Sequence, residues 1–482
     1  MTVPTVARVL GPALAQRPAG PAVIARSGTL TYAELDAAAD AAAGALWGLG
    51  VRPGDRVAAC LPNDLDIVVA FHGTQRIGAV WAGIGEALTA AEQHALVDLC
   101  RPAVVLAGPR CSLDGVDLQR WAALVSAGDA APGVTIDPRA PAGIAFSSGT
   151  TGAPKAIVHC QHNLVLPAAA LVATRAWGPG LRKGDCFPFT ILNMFVLSTI
   201  ATAIAQGCAI VMDRRDSDGI ADWIGRAGVT VWNGAPAQVF DLARRPDLDL
   251  HTLREVWSGG GDCPEHIRSA FQATHGLPVT ATYGLSEAPT VVAIDPVGGE
   301  HRDGASGQVL PHLDVAPAGG GVGELVLSPA TSGPWAGRWR PPLGYWQDGA
   351  VRPGGDVVAT GDVGSVHDRW LTMVDRKKLM IVRGGANVSP AEVERVLTQH
   401  PAVAGAAVFG VPDERLGDRV AALVVPSAAE LDSVALASFC AERLARYKIP
   451  ELWGRCESLP TNAMGKVIRT DLVEVLRSAT AL

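Results

Sequence analysis

The stretch FSSGTTGAPKAIVH, residues 146–159, places four hydroxyls (Ser147, Ser148, Thr150, Thr151), two glycines (Gly149, Gly152) and Lys155 within nine residues. Glycine lowers the steric cost of unusual backbone angles and lets the main chain approach a ligand closely, while hydroxyls and backbone N–H groups supply donors. That is the chemistry of a polyphosphate cradle. The same residue types also build a plain polar turn between two strands, and on this stretch alone the two readings weigh equally. A Walker loop is excluded. It needs Gly, four residues, then Gly-Lys-Ser or Gly-Lys-Thr, whereas Gly149 and Gly152 are three apart and Lys155 precedes Ala156.

Lysine is scarce in this chain. Of 40 basic residues only six are lysines, at 155, 183, 377, 378, 448 and 466, so one sits in the opening stretch and four in the last quarter. A lysine among so many arginines suggests a place where a compact ammonium on a flexible stem does what a planar guanidinium cannot, although six residues can also cluster by chance.

The elements that must position these groups follow from pattern. At 482 residues the chain exceeds what one hydrophobic core usually supports, so two or more domains are expected. Residues 22–37 read as strand, turn and strand, with Thr31 capping a helix that begins near Ala33 and holds Glu34 in its first turn. From there to Met212 short apolar strands alternate with helical patterns, which predicts parallel sheets with crossover helices. The segments VTVWNGAPAQVF, EVWSGGGDCP and PVTATYGLSEA each read as an apolar strand ending in a glycine-bearing turn, and the carboxyl ends of parallel strands are where such sheets bind ligands. Residues 305–345 change to short β-like pieces, a small barrel-like or antiparallel unit. Beyond the polar segment near 375–388, a helix capped at Ser389, with Pro390 first and Glu392 in its first turn, opens a small α+β domain with strands near 403–411 and 420–425.

Composition removes several function classes. A net charge of −7 without a basic block gives no electrostatic case for nucleic acid or an anionic membrane. Nine scattered cysteines, odd in number and without a C-x-x-C pair, fit reduced thiols in a cytosol. The N-terminal residues make a poor signal peptide. The longest apolar region, 191–212, reaches membrane-spanning length but contains Asn193, Ser198, Thr199, Thr202 and Gln206, and reads as a buried helix running into a strand.

Taken in order, SSGTTGAPK (147–155), SGGGDCP (258–264), TYGLSEA (282–288), GYW (344–346), ATGDVG (359–364), DRKKLMIVRGGANVSPAEVE (375–394) and NAMGK (462–466) form a highly specific set. The set resembles the adenylate-forming superfamily of acyl-CoA and aryl-CoA synthetases, nonribosomal adenylation domains and luciferases, over essentially the whole chain. The resemblance implies a two-step reaction in which a carboxylate attacks the α-phosphorus of ATP to give acyl-adenylate and pyrophosphate, and a thiol then takes the acyl group. By the same resemblance, Ser147, Ser148, Gly149, Thr150, Thr151, Gly152 and Lys155 would hold the phosphates, with Gly259, Gly260, Gly261, Thr282, Gly284 and Ser286 also at the nucleotide. Glu287, with Thr151, would bind Mg2+. Tyr283 would stack on adenine, Asp362 would accept from the ribose hydroxyls, and Arg376 would lie near the same sugar. Lys466 would bridge carboxylate and α-phosphate, and Gly384 and Gly385 would line the thiol tunnel after the small domain turns about a pivot at Lys378 or Leu379.

The expected fold is α/β: a large N-terminal domain (1–376) of parallel α/β subdomains with a barrel-like unit, then a small mobile α+β lid (377–482). The expected activity is Mg-ATP-dependent adenylation of a small or aromatic acid followed by thioester formation with CoA, in the cytoplasm, as monomer or homodimer. Loading of a carrier protein, or activation of another oxyanion such as nitrite, stand as alternatives. One departure from the family shapes the substrate expectation. The segment FPFTILNMF (187–195) lacks the His that many acyl-CoA synthetases carry near the acyl pocket. The resemblance places the acyl group beside Asn193, Trp232, Asn233 and Gly234, which are expected to line a short, partly polar pocket.

Overall fold

The computed structural model describes residues 5–128, 130–148, 154–259, 263–298, 301–302, 304–376, 379–383, 386–413, 417–427, 431–461 and 467–481. The helix after the first hairpin runs Tyr32–Gly48, one residue earlier than the pattern suggests. Thr31 starts it with a reciprocal cap: its Oγ1 accepts from the Glu34 N–H while the Glu34 carboxylate accepts from the Thr31 N–H at 2.8 Å.

Three sheets carry the chain. In the eight-stranded one, Arg56–Cys60, Val80–Gly83, Val104–Ala107 and Pro141–Ser148 run parallel, and Val57–Cys60 and Val80–Gly83 are buried on both faces, as crossover helices demand. Pro141–Ser148 then turns back as Pro154–Cys160, an antiparallel hairpin that sets Ser147 opposite Lys155. The strand Gly344–Gln347 returns from far along the chain to pair with the outer side of this hairpin, Tyr345 against Ile157. The GYW motif therefore lies beside the phosphate-loop motif.

In the thirteen-stranded sheet, Arg182–Asp185, Val231–Gly234, Glu255–Ser258 and Val279–Leu285 are parallel neighbours. At Leu285 the chain reverses into Ala288–Ile294, and from there the sheet continues antiparallel through Ala305–Val309, Trp370–Arg376 and Val358–His367. The antiparallel unit, expected over 305–345, thus begins at Ala288 and reaches Arg376, and it is hydrogen-bonded edge-on to the parallel sheet. The turn at Ser286 and Glu287 marks the seam.

The apolar stretch 191–212 folds as helix Leu192–Phe195, a π-helical turn Val196–Ile200, helix Ala201–Ala205 and strand Cys208–Val211. Its hydroxyls are satisfied inside the protein: Ser198 Oγ donates to buried Asp185, Thr199 to the Phe195 carbonyl and Thr202 to the Ser198 carbonyl. Among the described residues no helix is long and apolar enough to cross a membrane. The segment that precedes this helix is seated by two glycines on neighbouring strands. A Cβ at Gly83 would run into the Thr190 carbonyl, and one at Gly143 would come 2.7 Å from Leu192. Phe189 and Phe195 pack with Phe71 and Trp81, the Phe71 and Phe195 rings stacked 3.9 Å apart.

The third sheet, of six strands, belongs to the C-terminal part. Its long hairpin is Val403–Asp413 with Gly417–Pro426. The helix Pro390–Leu397 begins as expected at Ser389, whose Oγ accepts from the Glu392 N–H. Among the described residues, the nine cysteines form no disulfide.

Candidate active site

The strand Pro154–Cys160 rises and falls with period two, so Lys155, Ile157 and His159 face one way, and Tyr345, paired with Ile157, faces the same way. The Lys155 ammonium lies 5.9 Å from the centre of the Tyr345 ring, at the outer limit of a cation–π contact. Burial first, and the charge of Glu287 second, push the Tyr345 hydroxyl up from its ordinary pKa. Lys155, Tyr345 and Glu287 are therefore brought together, although they come from three distant parts of the chain.

His159 ties this face to the turn that carries Glu287. Its Nε2 lies 2.8 Å from the Ser286 carbonyl oxygen, and because it faces an acceptor it must carry the ring hydrogen. The other nitrogen, Nδ1, is buried without a partner. Burial holds the imidazole neutral, its pKa pushed down to about 4.

A cradle forms at the carboxyl ends of three parallel strands. Thr282 Oγ1 donates to the Ser258 carbonyl at 2.7 Å, and the Gly259 N–H donates to the Gly234 carbonyl at 3.2 Å. A Cβ on Gly259 would stand 2.9 Å from Thr282 Oγ1 and 3.5 Å from Asn233 Oδ1, so the hollow exists because the residue is glycine. Ser258 Oγ is buried beside it with no partner. Unsatisfied buried hydroxyls are rare in folded proteins, and one at a strand end suits a polar ligand. Gly284 has a different reason. Its missing Cβ makes room for the Thr290 carbonyl across the hairpin, and Thr290 itself takes φ = 89°, costly for a β-branched residue.

Tyr283, on the last parallel strand, donates its hydroxyl to Asp362 Oδ2 at 2.7 Å. Asp362 is 3% exposed, and its backbone N–H is anchored on Thr360 Oγ1. The antiparallel register sets Arg376 directly opposite Asp362. Three motifs of the sequence, TYG, TGD and DR, thus meet at one point.

The pocket expectation is corrected in part. Trp232 is 0% exposed and packs in the core formed by Trp223, Ile224 and Phe271, on the helix-covered face of the sheet. Its neighbour Asn233 must face the other way, level with Asp185 and Trp257 on the adjoining strands. The two cannot line one pocket. A Cβ on Gly234 would strike the Trp232 ring, so that glycine serves the core as well. Asn233, 6% exposed, hydrogen-bonds the buried Asp185, which also accepts from Lys183 and Ser198. Asn193 is tied to the turn that carries Glu287: its Nδ2 donates to the Leu285 carbonyl at 3.4 Å, and its Oδ1 is buried with no partner.

Gly149, Thr150, Thr151, Gly152, Gly260, Gly261, Lys378, Gly384, Gly385 and Lys466 lie outside the described residues, as do the side chains of Ser148 and Arg376. Sequence reasoning missed His159 and Tyr345. The available signal was alternation along the strand from Lys155, which places His159 on the lysine's face.

A family model described as AMP-binding enzyme matches residues 12–327, and one described as AMP-binding enzyme C-terminal domain matches 392–466, ending on the lysine of NAMGK. Among curated relatives, the 2-succinylbenzoate–CoA ligase of Geobacillus kaustophilus is 31% identical over 93% of this chain and 93% of its own. The feruloyl-CoA synthase of an Amycolatopsis species is 30% identical over 92% and 93%. The long-chain-fatty-acid–CoA ligase FadD13 of Mycobacterium tuberculosis is 28% identical over 92% and 93%. Among solved structures, ATP-bound MatB from Rhodopseudomonas palustris superimposes with a TM-score of 0.86 at 25% identity, covering 97% of this chain and 98% of MatB. With one model spanning most of the large domain and another the small one, the chain belongs to the family of AMP-binding enzymes.

Proposed function

We propose that this AMP-binding enzyme joins a small or aromatic carboxylic acid to coenzyme A, with ATP cleaved to AMP and pyrophosphate. It is an ATP-dependent acid–thiol ligase. In the first step a carboxylate oxygen bonds to the α-phosphorus and the bond to pyrophosphate breaks. In the second, the thiol sulfur bonds to the acyl carbon, AMP leaves, and the thiol proton passes to solvent. Carboxylates are poor electrophiles, so the site must neutralise phosphate charge and align the attacking oxygen.

The observation that carries this reading is the convergence of Lys155, Tyr345 and Glu287 on the phosphate-loop hairpin, 5.9 Å separating the ammonium from the ring centre. Lys155 and Ser147 suit phosphate oxygens. Glu287 suits Mg2+, a hard cation that takes one or two carboxylates and fills its shell with phosphate oxygens and water. When bound there, Mg2+ supplies charge neutralisation. That economy matches the described residues, which contain no group of three or more His, Cys, Asp or Glu able to form an all-protein cage. The Tyr283 ring and the Asp362 carboxylate suit a nucleoside, and the Gly259 cradle with the Ser258 hydroxyl suits a further polar group of the bound ligand. We assign Lys466 to the adenylation step and Gly384 and Gly385 to the thiol path, with residues 377–482 acting as the lid that exchanges them.

The substrate class rests on Asn193. A buried amide oxygen without a partner costs roughly 1–3 kcal/mol, and a substrate carrying its own hydrogen-bond donor would recover that. A long alkyl chain would not. The test is pyrophosphate release across a panel of carboxylates, with and without CoA. Aromatic or short polar acids should lead. If chains of twelve or more carbons react faster than all of them, the small-pocket reading is wrong.

A further inference from the structure

We propose that His159 is a positioning residue for Glu287: its imidazole, fixed in the strand that carries Lys155, holds the Ser286 carbonyl and so sets the neighbouring carboxylate against the phosphate hairpin. This rests on the reading of Glu287 as the metal-binding carboxylate.

The turn between Val279–Leu285 and Ala288–Ile294 is held at two consecutive carbonyls by side chains from elsewhere. Leu285 O accepts from Asn193 Nδ2 at 3.4 Å, and Ser286 O accepts from His159 Nε2 at 2.8 Å. Asn193 belongs to the segment that lines the acid pocket, and His159 to the phosphate hairpin. The turn is therefore registered to both sides of the reaction at once, and Glu287 is its next residue. A turn tied only by its own hairpin could drift relative to Lys155, because the register between its flanking strands is broken at this point, between Tyr283 and Leu285.

The choice of residue makes sense only through that tie. His159 sits among Ile157, Val158 and Ala156, all buried, and one of its two nitrogens has nothing to bond. An apolar side chain would pack there without stranding a polar atom. Displacements of about 1 Å in a reacting group can cost on the order of a hundredfold in rate, so a strut that fixes one carboxylate relative to one lysine has a large effect to offer.

The experiment compares His159→Leu, His159→Asn and His159→Gln with Glu287→Gln. The readouts are the half-saturating Mg2+ concentration for pyrophosphate–ATP exchange, the Kd for MgATP by calorimetry without acid, and the unfolding temperature of unliganded protein. Gln reaches about as far as the imidazole Nε2, whereas Asn is one methylene short and Leu has no donor. Leu and Asn should raise the Mg2+ requirement and the MgATP Kd by about tenfold or more, and Gln should stay within about threefold of wild type. Should Leu fail to fold, the Asn and Gln pair still decides. If Glu287→Gln leaves the Mg2+ requirement unchanged, the reading of Glu287 is wrong. If Glu287→Gln raises it while Leu and Asn do not, or if Gln falls with them, the strut is wrong and the reading of Glu287 stands.

Discussion

Tyr283 and Asp362 are joined by a hydrogen bond of 2.7 Å across 79 residues of chain, from the last parallel strand to a strand of the antiparallel extension. This bond spans the seam where the two halves of the large sheet meet. Asp362 is buried, and Arg376 is its partner in the strand register. A charged acceptor held in this way suits a pair of vicinal hydroxyls, since hydrogen bonds to charged groups contribute about 1.5–3 kcal/mol each.

Replacing Asp362 by Asn keeps shape and removes charge. KM for ATP should rise about 10- to 100-fold with the acid and CoA saturating, and Tyr283→Phe, which removes one hydrogen bond to the carboxylate, should raise it less, about threefold to tenfold. Steady-state kinetics at varied ATP decides. An Asp362→Asn enzyme with wild-type KM for ATP would remove this residue from the nucleotide site.

Lys466 closes the NAMGK motif and is the last residue matched by the C-terminal family model. On its proposed assignment to the first step alone, it should be dispensable in the second. Lys466→Ala should slow adenylation by about 10²–10³-fold, the scale for one preorganised charge contact. Thioester formation from supplied acyl-adenylate should continue. Equal loss in both half-reactions would mean that the lysine has another role.

How much of this was readable in advance depends on the range of the interaction. The cap at Thr31, the cap at Ser389 and the strand–helix alternation rest on contacts within a few residues, and they are where the sequence put them. The assignment of Trp232 failed for a physical reason. A central parallel strand is apolar on both faces, so its sequence does not say which face meets the helices and which the ligand side. Asn233 shows the same limit: its partner Asp185 lies on a neighbouring strand, and only the fold makes the two level. His159 stood inside the first motif, but its partner is 127 residues away. Local pattern cannot announce such a pairing.

Three histidines give the fold a predictable response to acid. His72, His159 and His312 are buried, and each has a ring nitrogen with no partner. Burial is the main cause that holds their pKa values down, to about 3 for His72, about 4 for His159 and about 3 for His312, with the nearby charges of Arg76 and Arg369 assisting at the first and last. In the unfolded chain an ordinary histidine titrates near about 6.5. Between these limits the unfolded state binds protons that the native state refuses, so the stabilising contribution is complete above about pH 6.5 and is lost as pH falls toward about 4, by roughly 1.4 kcal/mol per pH unit for each group. Carboxylates raised by burial, such as Asp66, Glu86 and Asp185, act in the opposite sense within part of this window. A difference measurement separates the two. The unfolding temperature of wild type, followed from about pH 8 to about pH 5, should stay level and then fall below about pH 6.5. In a His72→Leu, His312→Leu double variant the fall should be shallower, because two of the three proton sites are gone while the carboxylates remain. Parallel curves for the two proteins would show that these histidines do not govern acid stability.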